Sequence, residues 1–196
     1  MSRVRLGSTS FLMPGNRVWA GLSRMRELAF CDYGAWSSAL LESKEDDDVA
    51  VVLFLDDVMI PQAISLEEST KVFESFFGLL KNRLENSSGL TIVAFSSCDH
   101  GNLIRRARVI APVDQVHQWF MSQLVSLCKD YSSLYKIDLN KEFGKIGYQH
   151  SFDSRNWYAA RCRLSKNGLS LLATSIEQIC VRHDGPASKV LVLDCD

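Results

Sequence analysis

Asp194 and Asp196 stand one residue apart behind the apolar run Val190-Leu-Val-Leu193. Such a run reads as a buried strand that delivers two carboxylates to its carboxyl end. Paired carboxylates suit phosphoryl chemistry, in which one attacks and the other moves a proton or orients a metal. At the other end of the chain, Gly7-Ser8-Thr9 follows Val4-Arg-Leu6 and offers two hydroxyls. A serine or threonine hydroxyl needs a neighbouring base to attack at neutral pH. Asp56-Asp57 closes the most apolar run of the sequence, and His100 follows Asp99 behind another. Phe152 to Arg163 gathers Asp153, Arg155, Arg161 and Arg163 around Trp157 and Tyr158. Because a buried arginine demands paired acceptors, this segment reads two ways. Its charged residues line a polar site or a domain seam, or its aromatics anchor the core.

Elements that position these residues can be read from periodicity. Val4–Leu6, Leu28–Cys31, Val49–Leu55, Leu90–Phe95 and Leu134–Leu139 are expected strands. The third is apolar at every position, as a central strand covered on both faces must be. The acidic run Glu45-Asp-Asp-Asp48 before it reads as a solvated turn. Ser65-Leu-Glu-Glu68 fits a capping box that opens a helix with Phe73, Phe76, Phe77, Leu80 and Leu84 on one face. Pro112 introduces a helix with Val116, Trp119, Phe120 and Leu124 in phase, and a last helix runs on from Ser165-Lys-Asn-Gly168. Gly185-Pro186 breaks that helix. Strands alternating with helices imply a parallel sheet covered on both faces, with ligands at the carboxyl ends of its strands.

Composition narrows the function classes. The 196 residues carry a net charge of −1, so no overall basic field argues for nucleic acid. No apolar run approaches the roughly 20 residues that span a bilayer, and the N-terminus lacks a signal-peptide core, so no membrane role is expected. Cysteines 31, 98, 128, 162, 180 and 195 form no C-x-x-C pair, and they read as reduced thiols of a cytoplasmic protein. Arg105-Arg-Ala-Arg108 is the one basic cluster, and no His/Cys/Asp group has zinc-ligand spacing.

Two resemblances tie these pieces together. Gly7-Ser8-Thr9 resembles the first block of the SGNH hydrolases, with Ser8 at the aspartate position and Thr9 at the serine position. Gly34 matches the second-block glycine, and Asp56-Asp57 falls where that family has glycine-x-asparagine-aspartate. In the final block Ala160 takes the aspartate position and Arg163 the position of the histidine base. Arginine stays protonated and cannot serve as that base. Asp153-x-Arg155-x-Trp157-Tyr158-x-x-Arg161, Leu164-Ser165-x-x-Gly168 and Lys189-Val-Leu-Val-Leu-Asp194-Cys-Asp196 resemble the FkbH-like proteins. Those join an SGNH-like N-terminal domain to a phosphatase domain of the haloacid-dehalogenase (HAD) type, whose first motif is Asp-x-Asp-x-Thr.

The resemblance implies a three-layer α/β/α sandwich on a mainly parallel, five-stranded, flavodoxin-like sheet. Residues 1–182 would be the SGNH-like domain, 183–188 a linker, and 189–196 the first strand of a truncated HAD domain. It implies an accessory role, without catalysis of its own, in loading a glyceryl or similar acyl group onto an acyl carrier protein. Partners would be that carrier and the HAD domain. In a complete HAD domain Asp194 would be nucleophile and Asp196 acid/base around Mg2+, a cofactor this chain alone would not carry. Asp56, Asp57, His100, Asp153, Arg155, Arg161 and Arg163 are the expected substrate- or partner-facing residues. The alternative is an SGNH-type esterase or acyltransferase using Ser8 or Thr9.

Overall fold

The computed structural model describes residues 2–58, 66–97 and 112–185. His100, Arg105–Arg108, the expected cap Ser65, and Asp194 and Asp196 with their strand lie outside the described residues.

Five strands form one parallel sheet in the order β2-β1-β3-β4-β5. They are β1 (Arg3–Ser8), β2 (Glu27–Phe30), β3 (Asp48–Phe54), β4 (Thr91–Ser96) and β5 (Leu134–Asp138). β3 takes the centre because every one of its seven residues is buried. Its side chains alternate between two cores, as a period of two requires. Val49, Val51 and Leu53 face one, and Ala50, Val52 and Phe54 the other.

Helices cover both faces. α2 (Trp36–Leu41), α4 (Leu66–Asn86) and α5 (Pro112–Asp130) cover the first. Phe73, Phe76, Leu80 and Leu84 of α4 are buried there, together with Val116, Phe120 and Leu124 of α5. Phe76 stacks on Phe120 at 5.5 Å and meets Trp36 edge-on. A cut to alanine at Phe76 would cost about 3–5 kcal/mol. α1 (Ala20–Met25), α6 (Leu139–Ile146) and α9 (Lys166–Asp184) cover the second face. Ser165 caps α9, its hydroxyl accepting from Gly168 N at 3.1 Å. The resulting α/β/α sandwich is the architecture the β-α alternation implied.

Three local readings change. Leu55 and Leu139 do not extend their strands; each opens a helix, Leu55 in the one-turn α3 (Leu55–Val58) and Leu139 in α6. α9 runs through Asp184, two residues into the segment read as linker. The acidic turn is only half solvated: Glu45 and Asp46 are exposed, but Asp47 and Asp48 are buried. Asp48 pairs with Arg26 at 2.8 Å and accepts from Leu90 N, while Arg83 of α4 donates to the Asp47 and Lys44 carbonyls. The buried charges thus have partners, which is the condition for their burial.

Candidate functional site

Strand order decides where a site can form. From β1 the chain turns to β2 on one side, and from β3 it proceeds to β4 on the other. The segments after β1 and β3 therefore diverge, leaving a crevice at the carboxyl ends of two adjacent strands. Ser8-Thr9-Ser10 and Asp56-Asp57 flank this point, because Ser8 pairs with Val52 in the ladder.

Thr9 continues the ladder one step. Its N–H donates to Val52 O at 3.1 Å, and its hydroxyl oxygen accepts the next strand donor, Phe54 N, at 2.9 Å. The same hydroxyl lies near enough to the Asp57 carboxylate to favour its charged form. Ser8 Oγ accepts from Ser10 N at 3.0 Å, and its carbonyl accepts from Gly34 N at 3.2 Å. Gly34 sits at φ +78°, a conformation that favours glycine.

Arg163 reaches the crevice from the loop between α8 (Ser154–Ala160) and α9. Its Nη1 lies 2.7 Å from Asp56 Oδ2, and its Nε donates to Asp57 Oδ2 at 3.0 Å. Nη2 completes a fork on Asp57 Oδ1. The guanidinium lies between two rings, 4.8 Å from the Trp157 centroid and 5.5 Å from that of Phe54. Burial pushes the Asp56 carboxyl up to about 6, against the pull of Arg163 and with added repulsion from Asp57. Burial also raises Asp57, while Arg163 and the Thr9 hydroxyl oppose it. Asp56 Oδ1 is buried without a hydrogen bond.

The α8–α9 loop is held in place by backbone. Arg161 adopts φ +55° as the C-cap of α8, an unusual conformation for a residue with a side chain. Its carbonyl accepts from Phe11 N at 3.0 Å and from Ser10 Oγ at 3.2 Å. Ser10 Oγ in turn accepts from Arg163 N at 3.0 Å. Asp153 N donates to Arg163 O, and Phe152 bridges Leu164 in antiparallel sense. One serine hydroxyl thus ties the end of β1 to both arginines.

The expected site residues separate. Ser8, Thr9, Asp56, Asp57 and Arg163 come together. Asp153 does not enter the crevice; it caps α8, accepting from Arg155 N at 2.9 Å. Arg155 is exposed, and Arg161 is exposed with its guanidinium 5.3 Å from the Trp157 ring centroid. Tyr158 is 82% exposed, so it is no core anchor.

A second polar network was not anticipated. Asn140 accepts from Ser96 Oγ at 2.8 Å and from Ser97 N, and its amide donates to Ser97 Oγ at 2.8 Å. His117 approaches Asn140 at 3.5 Å and Asp138 at 3.7 Å. The available signal was Asp138-Leu-Asn140, an Asp that can cap a helix directly behind a strand. His150 is exposed in α7 (Tyr148–Ser151), and His183 packs edge-on to Tyr135. Among the described residues no group of three His, Cys, Asp or Glu side chains could hold a metal ion. Cys31, Cys128, Cys162 and Cys180 are free thiols, and burial raises Cys180 to about 11. No described helix is long and apolar enough to cross a membrane.

No protein-family model and no curated protein matches the chain. Two solved structures share its fold. One is the N-terminal part of the protein BF1531 from Bacteroides fragilis, containing a phosphatase domain complexed with Mg (TM-score 0.73, 14% identity). That match covers 94% of this chain and 52% of the other, so this chain spans about half of that structure. The other is a lipase/acylhydrolase from Enterococcus faecalis (TM-score 0.59, 15% identity), covering 97% of this chain and 100% of its counterpart. At these identities the likeness establishes the fold, a five-stranded parallel α/β sandwich of the SGNH and flavodoxin-like kind.

Proposed function

We propose that this chain is the N-terminal module of an FkbH-like protein and that it holds a partner rather than turning over a substrate. One observation carries the reading: Arg163, which the SGNH resemblance puts at the place of a hydrolase's base, is locked onto Asp56 and Asp57. A guanidinium cannot accept the Thr9 proton. Both carboxylate oxygens of Asp57 already accept from the same guanidinium, which holds this acid to Arg163. The half-length match to a structure containing a phosphatase domain supports a module that precedes such a domain. In that setting the module would serve the loading of a glyceryl or similar acyl group onto an acyl carrier protein in the cytoplasm. Arg155 and Arg161, exposed beside Trp157 and Tyr158, would face the carrier. Asp194 and Asp196 would hold Mg2+ only within a complete HAD domain, where the ion neutralises phosphoryl charge.

Two measurements test the reading. Purified chain mixed with p-nitrophenyl acetate should release nitrophenol no faster than buffer. Turnover that disappears in Ser8→Ala or Thr9→Ala would establish the esterase reading, which the nearness of the Thr9 hydroxyl to Asp57 supports. Calorimetric titration with an acyl carrier protein should show saturable binding, weakened in Arg155→Ala and Arg161→Ala. Absence of binding by a folded chain would overturn the carrier role.

A further inference from the structure

β2 is an edge strand, and its outer side is unpaired. Glu27 N donates to Ser2 O at 3.1 Å and Cys31 N to Leu6 O at 2.8 Å, so the odd-numbered residues of this segment bond to β1. Parallel-ladder geometry then turns the N–H and C=O of Leu28 and Phe30 toward the open side. Among the described residues no hydrogen bond satisfies them. A groove of about 700 Å³ runs along this edge. Leu28 and Phe30 line it from the strand, Pro14 and Arg17 from the segment after β1, and Ser23 from α1. The Leu28 and Phe30 side chains are half-buried on the α1 face of the sheet, Phe30 edge-on to the buried Trp19 at 5.3 Å. The Trp19 indole donates to Leu12 O at 3.0 Å, and Asn16 Oδ1 accepts from Val18 N at 3.1 Å. The flank beside the strand is thus held in place by its own hydrogen bonds.

An unpaired edge is a template for another strand. A strand laid beside β2 would take the free backbone groups of Leu28 and Phe30 and set every second side chain into the groove. This is the mode in which extended peptides add to sheets. A compact ligand would use the groove and leave the edge unpaired. Charge narrows the choice of strand. Three charged residues line the groove among the described residues, and two are engaged. Arg26 holds Asp48 and Asp184, and Glu27 holds Arg3. Arg17 is exposed, with no ion pair among the described residues. The open charge is therefore positive, and the complementary strand carries an acid.

We infer that the β2 edge docks an extended, apolar segment of another protein, which pairs with Leu28 and Phe30 and places a carboxylate against Arg17. This surface lies apart from the crevice and does not rest on the carrier reading.

The test is titration of the folded chain with a short valine–threonine peptide carrying glutamates, followed by NMR shifts and amide hydrogen exchange. Saturation is expected below about 1 mM, with exchange slowed at Leu28 and Phe30. The same peptide with lysines in place of glutamates should bind about fivefold more weakly, and so should the glutamate peptide to Arg17→Glu. A proline at the centre of the peptide should abolish binding, because it removes a ladder donor. Lys129→Ala, exposed on α5, should leave binding unchanged. No saturation at about 1 mM overturns the inference, and so does binding that leaves Leu28 and Phe30 exchange unaltered. Equal binding of the glutamate and lysine peptides overturns the acidic partner. Slow exchange at both amides without peptide overturns the inference as well. Its dependence on protein concentration would assign the edge to a second copy, and its independence to the chain itself. Circular dichroism of Arg17→Glu separates loss of binding from loss of fold.

Discussion

Thr9 and Arg163 converge on one carboxylate, Asp57: the hydroxyl arrives from the end of β1 and the guanidinium from the loop before α9. A hydroxyl, an acid and a positively charged side chain thus meet where the SGNH resemblance places a nucleophile and its base. The third member has the wrong chemistry for deprotonation and the right chemistry for holding two acids together.

That hold should be measurable. Arg163→Ala leaves Asp56 and Asp57 as uncompensated, largely buried charges and removes the stacking on Trp157. Breaking such a pair from one side costs about 3–5 kcal/mol. Urea denaturation at neutral pH should show a loss of this order, and Arg163→Ala with Asp56→Asn should recover part of it. An unchanged midpoint in Arg163→Ala would show that the pair contributes nothing.

The raised Asp56 carboxyl predicts a pH dependence of definite sign. Unfolded, this group titrates near its ordinary 3.8; folded, it holds its proton up to about 6. Between those values the folded state binds more protons than the unfolded one, so this group's contribution to stability falls as pH rises from about 4 to about 6. The full shift corresponds to about 3 kcal/mol. Asp56→Asn should flatten that part of the stability-versus-pH curve, leaving a residual slope from Asp57, which is raised in the same direction. Equal slopes in both proteins would refute the burial account of Asp56.

Ser10 is 2% exposed and bonded to both arginine segments. Ser10→Ala should cost about 1–3 kcal/mol, since it leaves the Arg163 N–H without its partner. Hydrogen exchange should quicken selectively at residues 161–165. Uniform quickening across the sheet would argue against a local latch.

Two glycines separate helix propensity from close approach. Gly78, exposed in α4, has nothing within 4 Å of an added Cβ, so Gly78→Ala should stabilise by about 0.5–1 kcal/mol. Gly168, in the first turn of α9, would place its Cβ 2.1 Å from the Ser151 carbonyl oxygen. Gly168→Ala should destabilise despite the same propensity gain, because the backbone of α7 must shift. Thermal unfolding of the two variants should move in opposite directions.

All five strands were legible, β3 and β4 as unbroken apolar runs and the others as short or alternating ones, and β3 announced its central place by having no polar position between Val49 and Phe54. α4, α5 and α9 were legible from apolar spacing sustained over 19 to 21 residues. The short helices were not. Ala20–Met25, Trp36–Leu41 and Ser154–Ala160 span fewer than two turns or barely that, too few to display a period, and tertiary contacts hold them. In the site, the SGNH resemblance put Arg163 at the place of the histidine base. Its pairing with Asp56 and Asp57 was not legible, because residues over a hundred positions apart meet only once strand order is known. The cap role of Asp153 was hidden for a related reason: a helix-capping carboxylate and a ligand-binding one look alike without the helix.

Asp184 binds Arg26 at 2.5 Å, and Arg26 binds Asp48 at the first residue of β3. This moors the last turn of α9 to the amino-terminal rim of the sheet, whereas Asp56, Asp57 and Arg163 crown the opposite rim. β3 rises about 3.3 Å per residue over its seven residues, so the rims stand roughly 20 Å apart. Asp184 and Gly185 therefore lie at the pole facing away from the crevice. Strain applied at the Asp184 end of α9 would have to cross the length of the sheet to reach the arginine latch, so the crevice is mechanically insulated from that end of the helix.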